Sequence, residues 1–369
     1  MTHVMTQVMS KVLLLGALAL SLTWSPAWAQ EAGTLTVLTH GSFNVSAEVI
    51  AEFTEETGIA VSFVEGGDAG ETLNRAILTR DNPLADLLFG VDNNLIARAL
   101  EADLFEPYQS PMLRVVPECY RFDDTHSATP VTVGFVNFNV DRAWFEEDGQ
   151  EIPSDIAELT EEAYRGLTVV TNPATSSPGL AFMLATIDRF GEAGEAAGED
   201  DWLEFWADLR DNDLLVTSGW TEAYYTAFSS YGGDRPVVLS YATSPAAEIF
   251  FADEALDEAP TGNLFCEGCV YRQIEGVGIL RGTQNREAAE RFIDFMLSRA
   301  FQEDIPLTMF VYPVSEEATL PEVFERFGQL PAEEEIATVA SAEIETNLET
   351  WLDLWTAVVV QGRDPAELR

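Results

Sequence analysis

The sequence predicts an α/β protein with two lobes, each a mainly parallel sheet flanked by helices, with a hinge and a ligand cleft between the lobes. Three observations lead to this prediction. Strand-like and helix-like segments alternate along most of the chain, as parallel sheets with crossover helices require. Residues 30–369 are too many for one comfortable hydrophobic core. The hydrophobic content of 47% is sufficient to fill two.

The first elements alternate regularly. Thr34–Thr39 has the composition of a short strand. Val45, Val49 and Phe53 then fall on one helix face, and the helix should end at Gly58. Further along, the pattern predicts a strand at 59–64, a helix at 71–80 and a buried strand at 85–90.

A second alternating region follows Pro130. Trp202, Phe205 and Trp206 have helical spacing within it and are predicted core residues. The predicted strands are 131–139, 167–171 and 237–241, and the predicted helices begin after Pro178, at 202 and near Thr243. A strand at 271–280 and a helix at 287–297 then return to the first sheet, and the chain ends in a helix near 342–359.

This path assigns segments of the chain to each lobe. We expect residues 30–135 and 275–310 to form lobe 1, and residues 136–274 and 311–369 to form lobe 2. Because the chain crosses between the lobes more than once, the connections should act as a hinge. Hinged lobes close around ligands.

Residues 1–29 have the order of a secretory signal peptide. Lys11 precedes a mostly apolar run at 12–20, and small residues stand at Ala27 and Ala29. The run is shorter than the roughly 20 apolar residues that a membrane helix needs. We therefore predict cleavage before Gln30 and release into the periplasm.

Acidic residues outnumber basic ones by 63 to 19, which gives a formal net charge of −44. The only lysine is Lys11. Nucleic acid and anionic membranes are therefore very poor partners. This charge is better explained by a solvated acidic surface than by adaptation of the charge to one ligand. The negative charge would nevertheless attract cationic solutes.

The three cysteines are Cys119, Cys266 and Cys269. The C-x-x-C pair is typical of half a zinc site or of a disulfide. Since no second pair or nearby histidine accompanies it, a disulfide is favoured, although the sequence does not say which thiol is left over.

Polar residues follow the predicted strands, at the ends where open parallel sheets bind ligands. They are His40 and Ser42, Gly67 and Asp68, Asp92 and Asn93, residues 172–177 and residues 241–244. These residues contain no obvious nucleophile and base pair. The sequence therefore predicts a binding protein rather than an enzyme, with no cofactor and no metal site.

Several blocks of residues occur in a defined order along nearly the whole chain. They are 35–43 (LTVLTHGSF), 89–95 (FGVDNNL), 175–180 (TSSPGL), 218–224 (SGWTEAY), 239–246 (LSYATSPA) and 312–314 (YPV). Together they resemble the periplasmic thiamine-binding proteins of ABC transporters, which have the type II periplasmic-binding-protein fold. The resemblance implies a monomer that binds thiamine, thiamine monophosphate or thiamine diphosphate and delivers it to a permease in the inner membrane.

The same motifs imply which residues contact the ligand. They are Asp68, Ser176, Ser177, Trp220, Tyr241, Ala242, Thr243 and Ser244. Trp220 and Tyr241 offer aromatic faces for the aminopyrimidine and the cationic thiazolium, and Asp68 or Asp92 offers negative charge. The hydroxyl residues lie at predicted helix starts, where backbone N–H groups can hold a phosphate.

The chain departs from the family pattern at three places. His40 stands where the family commonly has tyrosine, Phe310 takes the position of a family tryptophan, and Ala247 replaces a frequent aromatic residue. His40 and Phe310 complete the candidate site. Another cation or a related pyrimidine therefore stays an alternative ligand.

Structural roles and rival functions also stay open. Asp68, the turn at Asp92, Ser176 and Ser177 could each cap a helix instead of contacting a ligand. Tyr224 and Tyr225 suggest Fe(III) binding through phenolates, but the iron-binding family has its tyrosines after the strand that ends at residue 241. A thiamine-degrading transferase would need a reactive cysteine, and Cys119 is the only candidate outside the C-x-x-C pair.

Overall fold

The computed structural model describes residues 33–191 and 201–368. The predicted signal peptide, residues 1–29, lies outside these ranges. Residues from Gly33 onward form one compact unit, so the division into two lobes with the boundaries given above stays a prediction. In the part of the chain that the structure describes, no helix combines the length and apolar character required to cross a membrane.

The strands form a twelve-stranded sheet within the described residues. They are β1 (Thr34–Thr39), β2 (Ala60–Glu65), β3 (Leu87–Asp92), β4 (Phe105–Glu106), β5 (Thr129–Asp141), β6 (Thr168–Thr171), β7 (Leu215–Thr217), β8 (Val237–Tyr241), β9 (Thr261–Leu264), β10 (Val270–Leu280), β11 (Tyr312–Pro313) and β12 (Ile336–Ala337). The longer strands lie within about two residues of their predicted positions.

Helices connect most of these strands. They are α1 (Ala47–Thr57), α2 (Ala69–Leu78), α3 (Ile96–Glu101), α4 (Arg142–Asp148), α5 (Ser177–Phe190), α6 (Trp202–Asp211), α7 (Trp220–Glu222), α8 (Ser244–Phe251), α9 (Arg286–Met296), α10 (Arg299–Thr308), α11 (Glu322–Phe327) and α12 (Ser341–Trp355). α1 ends at Gly58, whose φ of 73° gives the left-handed conformation that glycine adopts without strain.

The main path through the sheet runs β2-β1-β3-β10-β5-β8-β6-β7. Its two ends are parallel, with β1 between β2 and β3 and β6 between β7 and β8. The long strands β5 and β10 join these ends by pairing antiparallel with each other and with their outer neighbours. The predicted return of residues 271–280 to the first sheet is confirmed, because β10 pairs with β3.

Buried aromatic residues fill the core on both sides of this path. Phe53 and Phe292 pack edge to face beside the β1–β3 end, with ring centroids 5.0 Å apart. Trp202, Phe205 and Trp206 are buried around α6, as their spacing predicted. Because these side chains pack in the core, the cavity described below is lined mainly by residues at the ends of the strands.

The cysteine prediction is also confirmed. Cys266 and Cys269 form a disulfide in the loop between β9 and β10, and Cys119 is a free, exposed cysteine. The Arg189 guanidinium donates to the Glu267 carbonyl oxygen at 2.6 Å and to both Asp155 carboxylate oxygens at 2.7 Å, so it ties this loop to α5 and to the residues before it.

Candidate functional site

A cavity of about 360 Å³ opens where the two ends of the sheet path approach each other. This volume is within the range of pockets that hold small molecules. Seven of the predicted site residues line it: His40, Asp68, Ser177, Trp220, Tyr241, Ser244 and Phe310. The expectation that strand ends gather at one site is therefore correct in geometry.

The other four predicted residues lie behind the wall of this cavity. They are Asp92, Ser176, Ala242 and Thr243, and each is almost completely buried. Thr243 Oγ1 donates a hydrogen bond to the carbonyl oxygen of Phe310, so this threonine supports a lining residue. The structure thus corrects the expectation that all four face the ligand: the chain packs over them as it turns from strand to helix.

Asp92 caps the turn that leads to α3. Its Oδ1 accepts backbone N–H groups from Asn94 and Leu95 at 2.9 Å, which is the capping role left open by the sequence. Complete burial raises the pKa of Asp92 to about 6. The negative charge expected from Asp92 therefore acts from behind the wall.

Asp68 joins two segments at the edge of the cavity. Its Oδ1 accepts the Ala69 N–H at 2.7 Å and caps α2, and its Oδ2 accepts the Trp220 N–H at 3.0 Å. A Cβ on Gly219 would lie 2.7 Å from Asp68 Oδ2, so only glycine permits this approach. The Asp68 carboxylate thus both caps α2 and holds the backbone of Trp220 in place.

Trp220 belongs to an aromatic group on one wall, formed with Tyr224, Tyr225 and Tyr231. The Trp220 ring stacks on Tyr224 with centroids 5.0 Å apart, and its Nε1 donates to Ser240 Oγ at 2.8 Å. Tyr225 and Tyr231 are about half exposed and line the same cavity. Sequence reasoning missed all three tyrosines as ligand contacts, although the first two were noted as an iron-binding alternative.

A partly buried carboxylate, that of Glu248, contacts this aromatic group. Tyr224 Oη donates to Glu248 Oε1 at 2.6 Å, and Thr261 donates to Glu248 Oε2. Burial and the nearby Glu248 hold the pKa of Tyr224 well above its usual value, and they raise the pKa of Tyr231 to about 12. The phenols are therefore neutral, and their rings offer electron-rich faces to a cation.

The lining of the cavity also includes Glu275 and Gln273 of β10, next to His40. His40 Nε2 lies 3.3 Å from Glu275 Oε1, and Tyr241 Oη donates to Gln273 Oε1 at 3.0 Å. Glu275 was missed by sequence reasoning. The available signal was an acidic residue inside a predicted strand, followed there by apolar residues and glycines.

The charge of the cavity has one sign apart from His40. Of the described residues that line it, Asp68 and Glu275 are acidic and none is arginine or lysine. Within the described ranges, no group of three or more histidine, cysteine, aspartate or glutamate side chains could hold a metal ion. Aromatic faces with nearby carboxylates are the arrangement that recognises an organic cation.

Known proteins resemble this chain over most of its length. Residues 82–328 match the family described as "Bacterial extracellular solute-binding protein". The chain is 30% identical over 345 residues to the "Thiamine-binding periplasmic protein" of Escherichia coli (strain K12), covering 92% of this chain and 97% of that protein. It is 26% identical over 302 residues to "Iron uptake protein A1" of Synechocystis, covering 79% of this chain and 78% of that protein.

Solved structures give the same result for the fold. The structure described as "Periplasmic thiamin binding protein" matches with a TM-score of 0.76 and 27% sequence identity, covering 88% of this chain and 96% of that chain. The sequence comparison and the structure comparison therefore both find similarity to periplasmic thiamine-binding proteins.

Proposed function

The chain belongs to the bacterial extracellular solute-binding proteins, in the family of the periplasmic thiamine-binding proteins, and we propose that it captures thiamine in its cavity and delivers it to an ABC transporter permease. The family predicted from the motif blocks, with its type II periplasmic-binding-protein fold, is confirmed. The observation that carries the ligand proposal is the cavity lined by both aromatic rings and the carboxylates of Asp68 and Glu275.

Each half of thiamine fits one of these features. The thiazolium is a cation, and a cation over the face of a Trp or Tyr ring gains about 0.5–2 kcal/mol. Trp220, Tyr225 and Tyr231 provide such faces. The aminopyrimidine carries hydrogen-bond donors and acceptors, for which Gln273 and Glu275 supply partners in the cavity lining.

The two rival functions have less support. Binding Fe(III) through phenolates requires phenol oxygens that are free for the metal, whereas Tyr224 Oη donates to Glu248 Oε1 at 2.6 Å. A transferase would need its thiol at the ligand, whereas Cys119 is exposed and does not line the cavity. The relatives of the chain are solute-binding proteins, which agrees with the prediction of a non-enzymatic carrier.

The localisation proposal combines the relatives with the first residues of the chain. The curated relatives are periplasmic proteins. We propose that cleavage before Gln30 releases this protein as a periplasmic monomer. Intact-mass measurement of protein secreted by its host tests the cleavage site, and light scattering tests the monomer.

Native mass spectrometry and calorimetry test the ligand. Protein purified from its host should carry a mass corresponding to thiamine or a thiamine phosphate, and ligand-free protein should bind added thiamine with saturation at one ligand per chain. Retention of a different mass, together with no heat on addition of thiamine, would contradict the proposal.

A further prediction concerns the phosphorylated forms of thiamine. Ser177 begins α5 and lines the cavity, and the lining residues include no arginine or lysine. A phosphate would therefore be held by hydroxyl and backbone N–H groups at the helix start, which suit a monoester better than a diphosphate in so acidic a protein. We expect thiamine and its monophosphate to bind better than the diphosphate.

Ser177→Ala should cost the monophosphate about 1–3 kcal/mol more binding free energy than it costs thiamine, because a hydrogen bond to a charged group is lost. Ser176→Ala is the matched control, since Ser176 lies behind the wall and its loss should affect both ligands alike. Titration of all three ligands into both variants measures the difference. Equal losses in Ser177→Ala would remove Ser177 from any phosphate site.

A further inference from the structure

Glu275 occupies the centre of the sheet and faces the cavity. It lies on β10 in register with Asp92 of β3 on one side and Thr132 of β5 on the other. Thr132 Oγ1 donates to Glu275 Oε2 at 2.9 Å, and Gln273 Nε2 donates to Oε1 at 3.3 Å. Only 11% of the Glu275 side chain is exposed, and that part lines the cavity. A ligand can therefore reach this carboxylate, which is held in place from both sides.

His40 is the only cation that faces Glu275 among the described lining residues, and the packing fixes its ring. A Cβ on Gly90 would lie 2.5 Å from His40 Cδ2, so the ring occupies the space that this glycine leaves free. The ring also contacts Phe89, with centroids 5.6 Å apart. The imidazole therefore stays beside Glu275 whether or not it is charged.

Both protonation states of His40 have a partner. The charged imidazolium forms an ion pair with Glu275 through Nε2. The neutral ring has an acceptor at Nδ1, to which the Ser42 N–H donates at 3.2 Å. Loss of the Nδ1 proton therefore leaves that nitrogen with the Ser42 N–H as its donor, whereas Nε2 is buried and lies 3.3 Å from Glu275 Oε1.

Several acidic groups surround this histidine. Burial disfavours its charged form, but the neighbouring Glu275, Asp68 and Asp92 outweigh burial and raise the pKa of His40 above its ordinary value. Glu275 is itself buried, and its contact with His40 nevertheless lowers its pKa. Tyr241 also faces the pair and is neutral, because burial and these carboxylates raise its pKa well above the usual value.

Glu65, at the end of β2, is a further carboxylate near this segment, since it lines a neighbouring groove together with His40. A cation entering the cavity therefore approaches more negative charge than His40 alone balances. Asp68 has a structural role, because its two oxygens accept backbone N–H groups from Ala69 and Trp220, whereas the oxygens of Glu275 accept from the side chains of Thr132 and Gln273.

Resting on the proposed thiamine-binding function, we propose that Glu275 is the carboxylate that pairs with the positive charge of the ligand and that His40 is the internal cation which the ligand replaces, so that binding releases a proton. The ligand charge and the His40 charge compete for one carboxylate. When the thiazolium arrives, the imidazolium loses its stabilising partner and gives its Nδ1 proton to solvent, and Nδ1 then accepts the Ser42 N–H.

This exchange determines how affinity depends on pH. Thiamine keeps its thiazolium charge, whereas His40 loses its charge as the pH rises through its pKa. Below that pKa, affinity should rise with pH by up to about tenfold per pH unit, which corresponds to release of one proton, and above it affinity should level off. Asp92, with a pKa of about 6, adds a change of the same sign at lower pH.

Calorimetric titration with thiamine between about pH 6 and pH 9, in two buffers of different ionisation heat, counts the protons released. The wild type should release up to one proton, whereas His40→Gln should release none above about pH 7, where Asp92 is already ionised. Asp92→Asn should still release the His40 proton in this range. Glu275→Gln should lose proton release and at least about tenfold in affinity.

The outcomes separate this inference from the function on which it rests. Absence of thiamine binding to the wild type would overturn both. Thiamine binding to the wild type without proton release across the whole pH range would overturn the exchange alone, and this result needs no variant to fold. Proton release that persists in a folded His40→Gln protein would also overturn it, because another group would then be the source.

Discussion

Trp220→Ala is expected to weaken thiamine binding by about 1–3 kcal/mol, because the variant loses the largest aromatic face in the cavity. It should also lower the free energy of unfolding by about 1–3 kcal/mol, less than for a fully buried tryptophan. The ring is partly exposed, but it stacks on Tyr224 and donates to Ser240 Oγ. The hydrogen bond from the backbone N–H of residue 220 to Asp68 is retained in the alanine variant.

Titration with thiamine and denaturant unfolding of the same sample measure the two effects. Trp220→Phe is the matched control, since it keeps a smaller aromatic face and loses the Nε1–H donor to Ser240. This control should retain most of the affinity. An alanine variant with unchanged affinity and a large loss of stability would show that Trp220 serves the core and not the ligand.

Gly179→Ala is expected to lower the free energy of unfolding by about 1–3 kcal/mol, although alanine is the better helix former. Gly179 lies in the first turn of α5, where the helix crosses the end of β6. A Cβ at this position would lie 2.2 Å from the carbonyl oxygen of Thr171. Because the obstacle is backbone, the helix start must move, and Ser177 moves with it.

The Gly179→Ala variant should therefore bind thiamine more weakly, because the shifted helix start displaces Ser177 in the cavity lining. Ala185→Gly, in the same buried helix, is the comparison: it costs about 1 kcal/mol in helix propensity and leaves the helix start in place, so its affinity should be unchanged. Denaturant unfolding and thiamine titration of both variants provide the test. A Gly179→Ala protein as stable as the wild type would show that α5 can shift at no cost.

Local sequence patterns were sufficient for most of the individual elements. The strand predicted at 34–39 is β1 as observed. The helix predicted at 71–80 begins two residues earlier, at Ala69, because the Asp68 side chain caps it there. Strand 131–139 extends to Thr129 and Asp141, since partners on both sides continue the pairing. Such boundary differences arise from neighbours that the local sequence does not contain.

Only part of the candidate site was predicted, because local sequence does not contain the neighbours that complete it. Motif blocks next to strand ends identified His40, Asp68 and Trp220, which do line the cavity. Asp92 and Thr243 belong to similar blocks but are buried, because Asp92 lies on a fully buried strand and the Thr243 hydroxyl, at the start of α8, donates to the Phe310 carbonyl oxygen. Sequence spacing alone does not fix which residue of a polar pair faces the ligand.

The sequence by itself determined the alternating α/β architecture and the family and favoured a disulfide, because these depend on periodicity, ordered motifs and short-range spacing. The pairing of Cys266 with Cys269 came from the structure. Only the tertiary structure decided that Glu275 meets His40 and that Tyr231 joins Trp220 at the cavity. These contacts depend on the register of β10 against β3 and on the packing of the segments around α7, which bring together residues far apart in the chain. Burial then sets the charge of each group, and burial is a property of the folded molecule alone.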